Sequence, residues 1–284
     1  MRDDDPLFRP IALARPELDT PSAWSDLIPL GMTLVDFVRP RLLVELGTKN
    51  GISYCAFCQA VVALGLDTRC LAVDTWEGDA TTTIHDGDQM LASLREHHDP
   101  RYGSFSTLLR MTFDEALGRV EDGSVDLLHI DGWHAYEAVR HDFETWLPKL
   151  SDRGVVLLHD VMVRTDGFGV GRFWEELEAR YPTFRIEHGA GLGIAAVGID
   201  APALLPMLTA SDTDALNFRS LMADLGAARR VPGLEQKVEK LRLKLDGRAQ
   251  SRATRSGVHT PTLSARRLLS RARQLIAHAR GRTT

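Results

Sequence analysis

Five apolar runs constrain this chain most: LLVEL at 42–46, RCLAVD at 69–74, FSTLLR at 105–110, VDLLHID at 125–131 and GVVLLHD at 154–160. Each is apolar at consecutive rather than alternate positions, so both faces of the strand it forms must be covered. The stretches between them, 52–65, 86–98, 113–119 and 135–150, carry helical patterns. Such alternation predicts a parallel sheet with helices on both faces, because parallel neighbours need a crossover connection. Two further runs, FRIEH at 184–188 and GIAAVGI at 193–199, follow a helix at 171–181 and are joined by GAGLG, which predicts a closing hairpin. The expected architecture is a doubly wound, Rossmann-like α/β sheet of about seven strands, mostly parallel, with an antiparallel strand near its end.

Charge divides the 284 residues unevenly. From Gly226 onward 15 Lys or Arg face 3 acids, while residues 1–225 hold 19 basic against 36 acidic side chains, so the formal net charge of -5 hides a basic tail on an acidic body. Four regions are expected: a lead-in over 1–40 with one helix around SAWSDLIPLGMTLVDFV, the sheet domain over 41–200, a helical connection over 201–225, and a basic helical or partly disordered tail over 226–284. In the tail, Leu234, Val238, Leu241 and Leu245 form a heptad-like stripe, and RRLLSRARQLIAHARGR interleaves apolar pairs with arginines. A helix-mediated oligomer and peripheral contact with an anionic membrane both suit such a tail. Nucleic acid suits the chain poorly, since the acidic body opposes a polyanion and no recognition motif is visible. No apolar segment approaches 18 residues and the start, MRDDDPLFRP, has no run of signal-peptide length, which points to a cytoplasmic protein. Cys55 and Cys58 form a lone CxxC inside an apolar helical stretch, which reads as buried thiols rather than a zinc or redox site.

In an open parallel sheet, ligands bind outside the carboxyl ends of the strands. Glu45, Asp74, Asp131 and the pair His159-Asp160 all fall at such ends, so one edge of the sheet carries acids and imidazoles. The first strand runs into VELGTKNGIS, where Gly47 permits a tight turn and Gly51 begins the next helix. This spacing departs from the GxGxxG of a diphosphate-binding turn, and Glu45 would repel a diphosphate. An acid, a glycine-bearing loop and a second acid, Asp74, placed for ribose hydroxyls suit a cationic, phosphate-free cofactor, S-adenosyl-L-methionine. Thr48 and Asn50 in this loop, with Thr75 and Trp76 after the second strand, complete the candidate cofactor contacts. Trp76 and Met111 are candidates for the adenine, with ordinary packing as the other reading. Asp114 either approaches the adenine amino group or serves a helix amino end. Asp131-Gly132 also reads as a plain strand-ending turn, and His159 as a core histidine. His97, His98, His141 and His188 read as lying on solvated faces.

The blocks VELGTKNGISY, VDTWEGD, FDEAL, VDLLHIDGWHAYEAVRHDFETWLPKLSDRGVVLLHD and GFGVGRFWEELEARYP together resemble the class I S-adenosylmethionine-dependent methyltransferases, in the family that includes macrocin-type sugar O-methyltransferases. The resemblance implies a seven-stranded sheet with a reversed seventh strand, a divalent metal held by acids after strands four and five, and a general base in the IDGxH block. Position by position, Asp131 matches the first metal carboxylate, Asp160 the later one, His134 the base, and Glu45 and Asp74 the cofactor acids. The implied catalytic pair is His134 with Asp131. Where the family commonly has two adjacent acids after strand five, this chain has His159-Asp160. The implied metal set is therefore Asp131, His159 and Asp160, with Mg2+ the ion that oxygen ligands favour and His159 either a ligand or a group behind the ligands. The implied acceptor is a small molecule or glycan hydroxyl, and a histidine of ordinary pKa, about 6.5, is largely neutral and able to take its proton. The segment ATTTIHDGDQM departs from the family and points to an individual acceptor pocket.

Two other functions compete. His129, Asp131 and His159 make the two-histidine, one-carboxylate set of a non-haem iron oxygenase, which leaves Glu45 and Asp74 without a role. A non-catalytic binding module recruited through the tail is the third reading.

Overall fold

The alternating pattern folds as α1 (Ile28–Val38), β1 (Leu42–Leu46), α2 (Ile52–Ala63), β2 (Arg69–Asp74), α3 (Gly87–Tyr102), β3 (Ser106–Arg110), α4 (Phe113–Ala116), β4 (Val125–Ile130), α5 (Tyr136–Trp146), β5 (Leu150–His159), α6 (Val170–Glu178), β6 (Thr183–Ile186) and β7 (Leu192–Ala196). The structure, a computed structural model, describes residues 6–78 and 86–229. Its strands form one sheet in the order β3-β2-β1-β4-β5-β7-β6. The first five are parallel, and β7 runs antiparallel to both β5 and β6, so the reversed strand is the seventh.

Every residue of β1 and β4 is buried, as consecutive apolar positions require of central strands. One face is covered by α5 and α6, whose Val139, Phe143, Trp146, Phe173, Trp174 and Leu177 join Val44, Leu46, Leu128 and Ile130 in a single core cluster. Burying side chains of this size contributes roughly 1.5–3 kcal/mol each. On the other face α1 buries every residue but Asp36, and Trp24 meets Phe57 of α2 edge-on at 5.4 Å.

The ends of the elements differ from the sequence pattern for local reasons. Helix α1 starts at Ile28 rather than near residue 23, with Pro29 in its first turn. Helix α3 passes Pro100 and ends at Tyr102, because Leu91, Leu94, His98 and Tyr102 continue one buried stripe. His98 is thus 1% exposed rather than solvated, and its two ring nitrogens meet Asp99 at 2.8 Å and Ser106 at 2.7 Å, which makes its burial tolerable. Strand β5 starts at Leu150 because Leu150 pairs with Val125 across an irregularity in β4. Cys55, Cys58 and Cys70 are free and buried, and burial pushes the Cys55 and Cys58 thiols up, away from the reactive thiolate.

The chain divides into two units, Met1–Met222 and Ala223–Thr284. In the first, 3-10 turns at Ala201–Leu204 and Pro206–Leu208 precede a helix that starts at residue 212, where Phe218 packs 6.5 Å from Phe37 and 6.0 Å from Phe184. In the second, residues 223–229 are helical. The heptad-like stripe, the linker and the arginine-rich segment lie outside the described residues, as do the last residue of DTWEGD and positions 80–85 of the segment after it. Among the described residues, no helix is long and apolar enough to cross a membrane.

Candidate active site

A cavity of about 590 Å³ opens beyond the carboxyl ends of β1, β2, β4 and β5. It sits where the chain order turns from β1 toward β2 on one side and β4 on the other, the switch point at which open sheets bind ligands. Gly47, with φ +89°, lets the loop after β1 lie against the end of β4: a side chain there would strike the Asp131 carbonyl. Asp74 then ties this loop to the next one. Its Oδ2 accepts from the Thr48 and Lys49 N–H groups at 2.8 and 2.7 Å, and its Oδ1 from the Trp76 N–H at 2.6 Å. A carboxylate offers about four lone-pair sites, so roughly one remains for a ribose hydroxyl. Gly47, Thr48, Asn50, Asp74, Thr75 and Trp76 all line the cavity, whereas Gly51 stands behind it as the cap of α2.

Glu45 does not line the cavity. It is opposite His129 in the β1–β4 register, the two side chains share a face, and Oε2 lies 2.8 Å from His129 Nδ1 with both residues 0% exposed. Trp24 and Phe57 pack edge-on against His129 at 5.0 and 5.6 Å. The expectation that Glu45 faces a cationic cofactor is thereby corrected, and His129 is withdrawn from the iron set as well. Met111 packs against the core cluster, Asp114 pairs with the exposed His141 at 2.9 Å, and neither lines the cavity.

Two carboxylates and two imidazoles meet on the opposite wall. His134 Nε2 lies 2.9 Å from Asp160 Oδ2 and 3.6 Å from Asp131 Oδ1, while His159 Nδ1 lies 3.1 Å from Asp131 and 3.4 Å from Asp160. Asp160 adopts φ +62°, a left-handed conformation uncommon outside glycine, held by its N–H to Gly191 O and by Val163 N–H to its own carbonyl. His134 is fixed from behind: the Phe168 ring stacks on it at 4.6 Å and 13°, and its carbonyl accepts from the Gly169 N–H at 2.7 Å.

Burial disfavours the charged form of all four groups, yet their mutual attraction wins. His159 and His134 hold Asp131 well below the usual carboxylate range, and Asp160 is lowered by the same two rings. In return the carboxylates push His134 up to about 9 and His159 up to about 10. The largely neutral His134 expected from its ordinary pKa is corrected: facing two carboxylates, it carries a proton at neutral pH.

Asp131, His134 and Asp160 bring one donor atom each within 4.8 Å of one another, a set that could hold a divalent ion. The set implied by resemblance, Asp131, His159 and Asp160, differs in its imidazole, because His159 is 3% exposed and tilts against Trp24 at 5.8 Å. Four cavity-lining residues carry a buried polar atom with no partner among the described residues: Trp24 Nε1, Thr48 Oγ1, His134 Nδ1 and His159 Nε2. Such atoms are normally satisfied, so their concentration here fits a polar ligand. Trp24 belongs to the lead-in, and no sequence signal ties it to the site; Trp133 and Phe168 sit inside conspicuous blocks but beside more eye-catching residues.

A family model described as a methyltransferase domain matches residues 44–161, from β1 to just past Asp160. Residues 44–161 are thus similar to a methyltransferase domain, the class that the doubly wound sheet and its switch-point cavity suit. An uncharacterized protein, y4gI of Sinorhizobium fredii, is 48% identical over 211 residues, which is 73% of this chain and 23% of that protein. The chain thus spans under a quarter of that relative's length. Among solved structures, it is similar to the O-methyltransferase TomG of Streptomyces achromogenes, involved in tomaymycin synthesis and in complex with S-adenosylmethionine, at 17% identity and a TM-score of 0.47 over 64% of this chain and 83% of that one. It is also similar to an O-methyltransferase of Bacillus cereus in complex with S-adenosylhomocysteine, at 16% identity and a TM-score of 0.45 over 63% of this chain and 83% of that one.

Proposed function

We propose that the protein is an S-adenosyl-L-methionine-dependent O-methyltransferase acting on a sugar hydroxyl of a glycan or glycosylated metabolite, as the macrocin-type resemblance implies. One observation carries the reading: His134 Nε2, 2.9 Å from Asp160, stands on the same cavity as the glycine loop tied down by Asp74. S-adenosyl-L-methionine, when bound, supplies a sulfonium methyl group open to in-line attack by an oxygen. Gly47, Thr48, Asn50 and Thr75 offer the close backbone approach and polar contacts to hold it, and Asp74, whose partners among the described residues are backbone N–H groups, favours its positive charge.

Once its own Nε2 proton is lost, His134 takes the acceptor's proton at that atom, which faces both carboxylates. Asp160 orients that ring from the front, while Phe168 and the Gly169 N–H hold it from behind, so the base is positioned before the acceptor arrives. A divalent cation, Mg2+ first among candidates, would be held by Asp131 and Asp160 with His134 beside them, and would supply charge that acidifies the hydroxyl and offsets the carboxylates that keep His134 protonated.

Calorimetry with S-adenosylhomocysteine on the full chain is the first test, and absence of binding by folded protein refutes the reading. A screen of glycans and nucleotide sugars for S-adenosylhomocysteine release, run with and without chelator, tests the acceptor class and the metal; the expected outcome is turnover on a sugar that chelator lowers.

A further inference from the structure

Most large rings at the cavity are already engaged. Trp76 is 1% exposed and donates its Nε1–H to Lys49 O at 2.8 Å. Phe113 packs so closely on Gly132 that a side chain at that glycine would strike its ring. Trp133 is different: it lines the same cavity, is 46% exposed, and makes no hydrogen bond or ring contact among the described residues. It stands between Gly132 and His134, so an acceptor that places a hydroxyl on His134 has its own ring within reach of the indole. An exposed indole beside a reaction centre is an apolar surface waiting for a partner.

We propose that Trp133 is the acceptor platform: its indole carries the C–H face of a pyranose ring while one ring hydroxyl turns inward to His134. The proposal rests on the sugar O-methyltransferase reading and adds the residue that selects the acceptor. A pyranose is amphiphilic, with C–H groups on one face and hydroxyls around its edge, and needs a single apolar surface ringed by polar groups. Trp133 offers one such surface, and Asp131, His134 and Asp160, which line the same cavity, offer acceptors and a donor. A planar aromatic acceptor has two apolar faces and calls for a second ring opposite the first. Phe168, the ring nearest the base, is spent on His134.

The test uses the full chain labelled with 5-fluorotryptophan and loaded with S-adenosylhomocysteine. Five tryptophans give five fluorine resonances, and the one missing from Trp133→Phe is that of Trp133. Titration with methyl glycosides of hexoses and 6-deoxyhexoses is expected to move this resonance saturably. The sugar that moves it most is then the acceptor in an S-adenosylhomocysteine release assay, where Trp133→Ala raises KM about tenfold or more, Trp133→Phe recovers most of that loss, and S-adenosylhomocysteine affinity stays unchanged. A resonance that no pyranoside moves, or that only catechol moves, overturns the proposal while the cofactor reading stands, as does an unchanged KM in Trp133→Ala. Failure of the wild-type chain to bind S-adenosylhomocysteine is a separate result, and it removes the enzyme reading together with the platform.

Discussion

Strand β4 places two aspartates at its ends, and they behave as opposites. Asp126, near the amino end, is 0% exposed and accepts four hydrogen bonds: from Arg41 N at 2.7 Å, Arg41 Nε at 2.9 Å, Arg41 Nη2 at 2.8 Å and Ser151 Oγ at 2.6 Å. Its lone pairs are saturated, and burial's upward pull on its pKa is outweighed by Arg41 and Ser151. Asp131, just past the carboxyl end, also sits well below the usual range, but among the described residues only His159 lies within hydrogen-bond distance of its carboxylate. A low pKa alone does not mark a functional acid. The difference is unused capacity beside a cavity, which Asp131 has and Asp126 lacks.

That contrast breaks first at the base. His134→Ala is expected to slow methyl transfer about 10²- to 10⁴-fold with little loss of stability, read from S-adenosylhomocysteine release and thermal melts. A rate within threefold or so of wild type would place the cluster with Asp126 as a structural device. Next, Asp126→Ala should destabilise the fold by about 3 kcal/mol in urea titration, since Ser151 and the Arg41 donors lose their acceptor, while cofactor affinity of the folded protein is unchanged.

A third carboxylate sharpens the comparison from between these extremes. Asp142 on α5 is 7% exposed with no cation in salt-bridge contact among the described residues; burial pushes it up to about 7, with His141 opposing and Asp114 adding to the rise. Its folded pKa exceeds the unfolded value of about 3.9, so it costs nothing below pH of about 4, and the penalty grows until pH of about 7. Asp142→Asn should therefore stabilise the protein by roughly 1–2 kcal/mol at alkaline pH and not at all at acid pH, as pH-dependent unfolding would show. Equal effects at both ends would mean that the pKa of Asp142 is the same in the folded and unfolded states. The smallest effect belongs to Phe168→Leu, which keeps apolar cover on His134 but loses the stacked ring; a fall in kcat of about threefold, with KM unchanged, is the expected sign of a positioning residue.

Much of this was legible from residue order. Consecutive apolar runs exposed the strands, and the acids ending them located the functional edge. Glu45 shows where that legibility stops: its place at a strand's carboxyl end was readable, but its direction depended on meeting His129 across the β1–β4 register. The charge of His134 was equally hidden, because the carboxylate closest to it, Asp160, comes from a different strand end.

By itself, the order of amino acids determined the doubly wound sheet and the edge that carries its chemistry. Both follow from local periodicity and from the rule that parallel strands need helical crossovers. Only the tertiary structure decided that Glu45 turns inward, that His134 rather than His159 completes the donor set of Asp131 and Asp160, and that Trp24 of the lead-in walls the site. Those outcomes depend on register and on contacts between distant segments, and a side chain's neighbours, more than its own type, set where it points and what charge it holds.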